Sequence, residues 1–122
     1  MLILAASLML SPMVFANSTR DAQFYLNSPE KYKGKQITLY AAFVTRRGKV
    51  PDLNGVEFLA YTMSRDGDQT SYISVLVPNA KADSFARRYG TDFKYQNGSP
   101  RKLSMRGFLR EIDDTWFLEI EE

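Results

Sequence analysis

KQITLYAAFVTR, residues 35–46, is the stretch on which the architecture turns. Ile37, Leu39, Ala41 and Phe43 alternate with Thr38, Tyr40, Ala42 and Val44, the period of a strand with two different faces. The run from Lys35 to Arg46 is about twice the length of an ordinary strand. Ala41-Ala42 puts little bulk at its middle, where a bend or a close approach of backbone fits. A long strand that bends can pair with different neighbours along its two halves, which is what closing a small sheet on itself demands.

Towards the C-terminus the pattern stays β-rich. Gly48, Pro51 and Asn54-Gly55 mark a loop over Arg46 to Gly55. A second strand is expected from Val56 to Met63. Val56, Phe58 and Ala60 share one face; Glu57, Leu59, Tyr61 and Met63 share the other. Asp66-Gly67-Asp68 reads as a hairpin turn into a third strand, Tyr72 to Val77. Pro78-Asn79 then opens a helix, with Asn79 as N-cap. Ala82, Phe85, Ala86 and Tyr89 form its apolar stripe, and Gly90 suits the position after its end. Thr91 to Pro100 is polar. A fourth strand, Lys102 to Glu111, alternates Leu103, Met105, Gly107 and Leu109 with Arg106, Phe108 and Arg110. Gly107 marks a second place for close approach. Asp113-Asp114 is a tight turn into a fifth strand, Thr115 to Glu121, with Trp116, Leu118 and Ile120 inward.

Towards the N-terminus, Ser18 or Thr19 caps a short helix with Asp21 in its first turn and Ala22, Tyr25 and Leu26 on one side. Asn27-Ser28-Pro29 ends it, and one more turn over Pro29 to Lys33 closes at Gly34. Residues 1–16 read as a cleavable secretory signal. Leu2 to Leu10 is an apolar run, Ser11-Pro12 breaks it, and Val14-Phe15-Ala16 sets up cleavage after Ala16. The run falls short of the about 20 apolar residues a membrane span needs. A signal ordinarily starts with a basic residue, and Leu2 follows Met1 directly; a true start upstream of Met1 would supply one. The expected division is a signal over 1–16, a helical segment over 17–33 and one domain over 34–122. The mature protein is expected in the periplasm or secreted, with no stable membrane span.

Of 122 residues, 44% are hydrophobic and 25% charged, and the formal net charge is +2. This is the profile of a globular chain with no strong electrostatic appetite for polyanions. The sequence has no Cys and no His. That excludes thiol nucleophiles, imidazole acid–base chemistry, disulfides and the usual zinc or copper sites. No spacing among the remaining Asp, Glu, Lys, Tyr and Ser forms a catalytic motif, so a non-enzymatic domain without metal or cofactor is expected. Asp66-Gly67-Asp68 and Asp113-Asp114 lack the spaced oxygens of a calcium loop and read as turns.

The order strand, strand, strand, helix, strand, strand resembles the OB-fold. PEKYKGKQITLYAAFV (29–44) is similar to the lead-in and first strand of small bacterial OB domains of the anticodon-binding-like type. KLSMRGFLREIDDTWFLEIEE (102–122) is similar to their closing hairpin. The resemblance implies an all-β domain with accessory helices: a five-stranded Greek-key barrel, a helix between strands three and four, and an N-terminal helix. An open α+β sheet with a helix on one face is the alternative.

The resemblance also implies where a ligand would bind, on the outer face of strands two and three and the loops beside it. There the sequence offers Tyr40, Val44, Leu59, Tyr61 and Met63, with Arg46, Arg47 and Lys49 on one loop and Arg110 on the opposite hairpin. This is either a groove with aromatic and cationic groups or a face on which the N-terminal helix lies. Tyr40, Arg46, Arg47, Lys49, Leu59, Tyr61 and Arg110 are the candidate binding residues. The partner class is an envelope protein or a small ligand, with an oligosaccharide or single-stranded nucleic acid as the alternative. Export and the acidic tail Glu119, Glu121 and Glu122 argue against nucleic acid. Arg87-Arg88 sits at a helix C-terminus, where it complements the dipole.

Overall fold

The computed structural model describes residues 21–63, 70–90 and 103–120. The expected signal, the Asp66–Asp68 turn and the polar 91–100 segment lie outside the described residues. The chain forms β1 (Gln36–Ala41), β2 (Phe43–Val50), β3 (Gly55–Met63), β4 (Thr70–Pro78), β5 (Leu103–Ile112) and β6 (Thr115–Ile120). Among the described residues three short helices accompany them: α1 (Ala22–Leu26), α2 (Pro29–Tyr32) and α3 (Ala82–Tyr89). The strands make one six-stranded mixed sheet in the order β1-β5-β6-β4-β3-β2. All pairs are antiparallel except β4 with β6, which run parallel.

The long strand expected over Lys35–Arg46 is divided at Ala42. Its first half pairs with β5, from Gln36 opposite Phe108 to Ala41 opposite Leu103. Its second half pairs with β3, beginning with Phe43 opposite Tyr61. Both ends of the strand order therefore belong to one bent run of chain. The count of six rather than five follows from this break.

Ala42 also changes which side chains face inward. Ala41 and Val44 are both buried, a spacing of three where strict alternation gives two. Ala42 thus acts as one extra residue, and a one-residue slip exchanges the two faces of all that follows. Val44, expected on the outer face, lies in the core; Phe43, expected inward, lies outside and stacks on Tyr61. A second slip follows at once. Arg46 pairs with Phe58 and Gly48 with Glu57, so Arg47 is the extra residue of a bulge. Gly48 holds φ at 146°, which favours glycine although no atom would obstruct a Cβ there. The strand then continues to Val50, through part of the expected Arg46–Gly55 loop. A 3-10 turn over Pro51–Leu53 and a left-handed Asn54 complete the hairpin.

The remaining turns follow residue chemistry. Asp113 and Asp114 both take positive φ, 50° and 65°, the pattern that a two-residue hairpin needs to match strand twist. Gly107 is packed so closely that a Cβ would strike the Glu119 carbonyl on β6. Gly90 is left-handed behind α3. Two caps differ from expectation. Asp21 is the N-cap of α1, its carboxylate accepting from Phe24 N at 2.8 Å. Asn79 begins a 3-10 turn through Lys81, and α3 starts at Ala82.

One core gathers the inner face. It holds Leu39, Val44, Phe58, Ala60, Ile73, Val75, Met105, Leu109 and Leu118. α3 reaches it with Phe85, edge-on to Phe58 at 4.7 Å, and with Tyr89. α1 reaches it with Ala22 and Tyr25. Ala22 N donates to Thr62 Oγ1 at 2.8 Å, and the Tyr25 hydroxyl donates to the Thr38 carbonyl at 2.9 Å. α1 thereby bridges β3 and β1 on the inner side.

Candidate functional site

The outer face of β2, β3 and β4 is built in rows set by the register. Phe43, Tyr61 and Tyr72 stand side by side across the three strands. Phe43 and Tyr61 are stacked, ring centroids 4.6 Å apart and planes 14° from parallel. Tyr72 tilts against Tyr61 at 5.5 Å and is 53% exposed. Contacts of this kind contribute about 0.5–1.5 kcal/mol each beyond burial. Because Phe43 and Tyr61 cover each other's faces, Tyr72 is the ring left open to a partner.

The next row is Thr45, Leu59, Ser74, Phe117 and Arg110, crossing from β2 through β6 to β5. The third places Glu57, Leu76 and Glu119 abreast. Leu76 and Phe117 are only 5% and 7% exposed, yet they stand apart from the main core cluster. They are buried apolar residues on the outside of the sheet, in the rows beside the aromatic one.

Charge at the rim is internally balanced. Arg110 Nη1 lies 2.6 Å from Glu119 Oε1, and Arg47 Nε lies 4.0 Å from Glu57 Oε1. Glu57 Oε2 also accepts from Ser74 Oγ at 2.7 Å. These pairs are partly exposed and contribute little to stability. Their consequence is for recognition, since neither arginine presents an unpaired positive charge.

The seven sequence candidates therefore separate. Leu59 and Tyr61 are together on the outer face, and Arg47 and Arg110 stand at its charged rim. Arg46 is elsewhere. Two residues beyond Val44, it falls on the Phe58 side, its guanidinium 5.6 Å from that ring and 3.2 Å from Asp83 of α3. Tyr40 is 39% exposed, opposite Ser104 on the β1–β5 part of the sheet, away from Tyr61. Lys49 is exposed near the β2–β3 hairpin, opposite Val56. The N-terminal helix does not lie over Leu59 and Tyr61, because Ala22 and Tyr25 pack on the inner side.

Phe43, Tyr72, Leu76 and Phe117 were missed as members of this face. Tyr72 was within reach of sequence reasoning, since any hairpin that pairs Tyr61 with Tyr72 sets the two rings together. Phe117 falls outside by the alternation that puts Trp116, Leu118 and Ile120 inward; Leu76 was not within reach, because ISVLVP is apolar at both parities and does not reveal which residue faces out.

Among the described residues no group of His, Cys, Asp and Glu could hold a metal ion, and no helix is long and apolar enough to cross a membrane. No protein-family model, curated protein or solved structure matches the chain.

Proposed function

We propose that the chain is a non-enzymatic OB-type binding module, working after export in the periplasm or outside the cell. It engages a protein or small ligand through the outer face of β2, β3 and β4. The observation that carries this reading is the aromatic row on the outer face, left open by α1 and ending in the exposed Tyr72. Aromatic side chains that are rigid yet accessible are the usual anchors of an interface. The OB-type assignment draws support from the bend at Ala42, the parallel β4–β6 pair, and the helix between β4 and β5.

The second reading, an oligosaccharide or single-stranded nucleic acid, draws on the same Tyr72 ring. Pairing of Arg47 with Glu57 and Arg110 with Glu119 weighs against the nucleic acid, whose phosphates need unpaired cations along the groove. The test is retention on immobilised protein of envelope extract, neutral oligosaccharides and oligothymidylate. Tyr72→Ala should lower the retained partner by at least about tenfold. Arg46→Ala, on the other side of the sheet, should leave retention unchanged. Full retention by Tyr72→Ala would refute the outer-face reading. Salt-sensitive capture of oligothymidylate alone would select the nucleic acid.

A further inference from the structure

We infer that the N-terminal helices and β1 form a second site, a pocket for a small amphipathic anion: an apolar ring or chain bearing one carboxylate. It is independent of the outer-face reading. The pocket is open, about 400 Å³ in volume, and lined by Phe24, Tyr25, Tyr32, Lys35, Ile37 and Thr38 together with Gln36. That volume suits a small molecule.

The walls are ordered by mutual ring contact. Tyr25 meets Phe24 edge-on at 5.1 Å and Tyr32 edge-on at 5.0 Å, and Phe24 lies 5.9 Å from Tyr32. The Tyr25 hydroxyl is fixed on the Thr38 carbonyl, which anchors the three rings to β1. An apolar body placed here meets rings already held in position.

The polar side of the pocket is cationic. Lys35 lines it; Lys31 is outside the lining, its Nζ 6.0 Å from the Tyr32 ring. Neither pairs with a carboxylate among the described residues, whereas Lys33 between them pairs with Glu111 at 3.5 Å. No lining residue among the described residues is acidic. Glu30, the carboxylate on the same short helix, is exposed and outside the lining. Three rings and the Lys35 ammonium, which has no carboxylate partner among the described residues, complement a ligand with one apolar and one anionic end. A neutral ligand would leave that charge unused, and a bare inorganic anion would leave the rings in water.

The test is NMR titration of the full chain with 3-phenylpropionate and with 3-phenylpropionamide, which differ in charge and little in shape. The expected result is shifts centred on Tyr25, Tyr32, Lys35 and Ile37, with the carboxylate bound about tenfold more tightly than the amide. Lys35→Glu should lose that advantage and Lys35→Arg should keep it. Lys35 is exposed, and an unchanged thermal midpoint will show that the variants fold. Equal affinity for the two probes, an unaffected Lys35→Glu variant, or shifts centred elsewhere would overturn the assignment. None of those outcomes bears on Tyr72, so the outer-face reading stands or falls separately.

Discussion

The two faces of β2, β3 and β4 carry almost the same kinds of residue and do different things. The inner face sets Val44, Phe58, Ala60 and Val75 against helices and strands that exclude water completely. The outer face sets Phe43, Leu59, Tyr61 and Tyr72 in rows with nothing of the described helices above them. Hydrophobicity alone does not distinguish the two. What distinguishes them is a pair of one-residue offsets, at Ala42 and Arg47, which decide the side on which each side chain of β2 emerges. Neighbouring arginines show the effect: Arg46 reaches Asp83 on α3, while Arg47 reaches Glu57 on the outer face.

The comparison can be broken first by truncating one ring from each face. Phe58→Ala removes a fully buried ring that touches Phe85, and should cost about 3–5 kcal/mol of unfolding free energy. Tyr72→Ala removes a ring that is more than half exposed and should change stability by about 0.5 kcal/mol or less. Urea denaturation of both variants measures the difference. Similar costs would mean that the outer row is structural and not an interface.

A smaller effect sharpens the inner side. Tyr89 of α3 donates its hydroxyl to the Ser104 carbonyl on β5 at 2.8 Å. Burial pushes its phenol above the usual value of 10.0, opposed more weakly by the charge of Arg88. A folded-state pKa above the unfolded one means that the protonated form stabilises the fold. That contribution is fully present below pH 10.0 and is lost as pH rises through the higher folded value. Tyr89→Phe should cost about 0.5–1.5 kcal/mol near neutrality through the lost hydrogen bond. Above pH 10.0 the wild-type chain should lose stability more steeply than the variant. Parallel curves in the alkaline range would remove Tyr89 from the account.

Much of the inner face was legible in the sequence. Val56, Phe58 and Ala60 alternate cleanly with polar and aromatic neighbours, as do Met105 and Leu109 around Gly107, and their burial follows the alternation. The Asp113-Asp114 turn and the end of α3 at Gly90 were legible because positive φ selects few residue types. The outer face was less so. Ala42 continues an alternating pattern as readily as it interrupts one, since alanine is at home in either environment. Arg47 precedes a glycine and a proline, which read as a loop although the ladder runs on to Val50. The offset at Ala42 moved Val44 and Phe43 from their expected sides and put Arg46, expected on a loop, on the inner side of the ladder. Tyr61 and Leu59, on a strand without an offset, stayed where the alternation put them.

The absence of cysteine from the chain gives the most direct measurement. Phe43→Cys and Val44→Cys each introduce a single thiol just after the change of face at Ala42. In the native state Cys at 43 should react readily with a water-soluble thiol reagent, and Cys at 44 should react only when the protein unfolds. The reverse order would mean that alternation runs unbroken through Ala42, and the aromatic row built on Phe43 and Tyr61 would not exist.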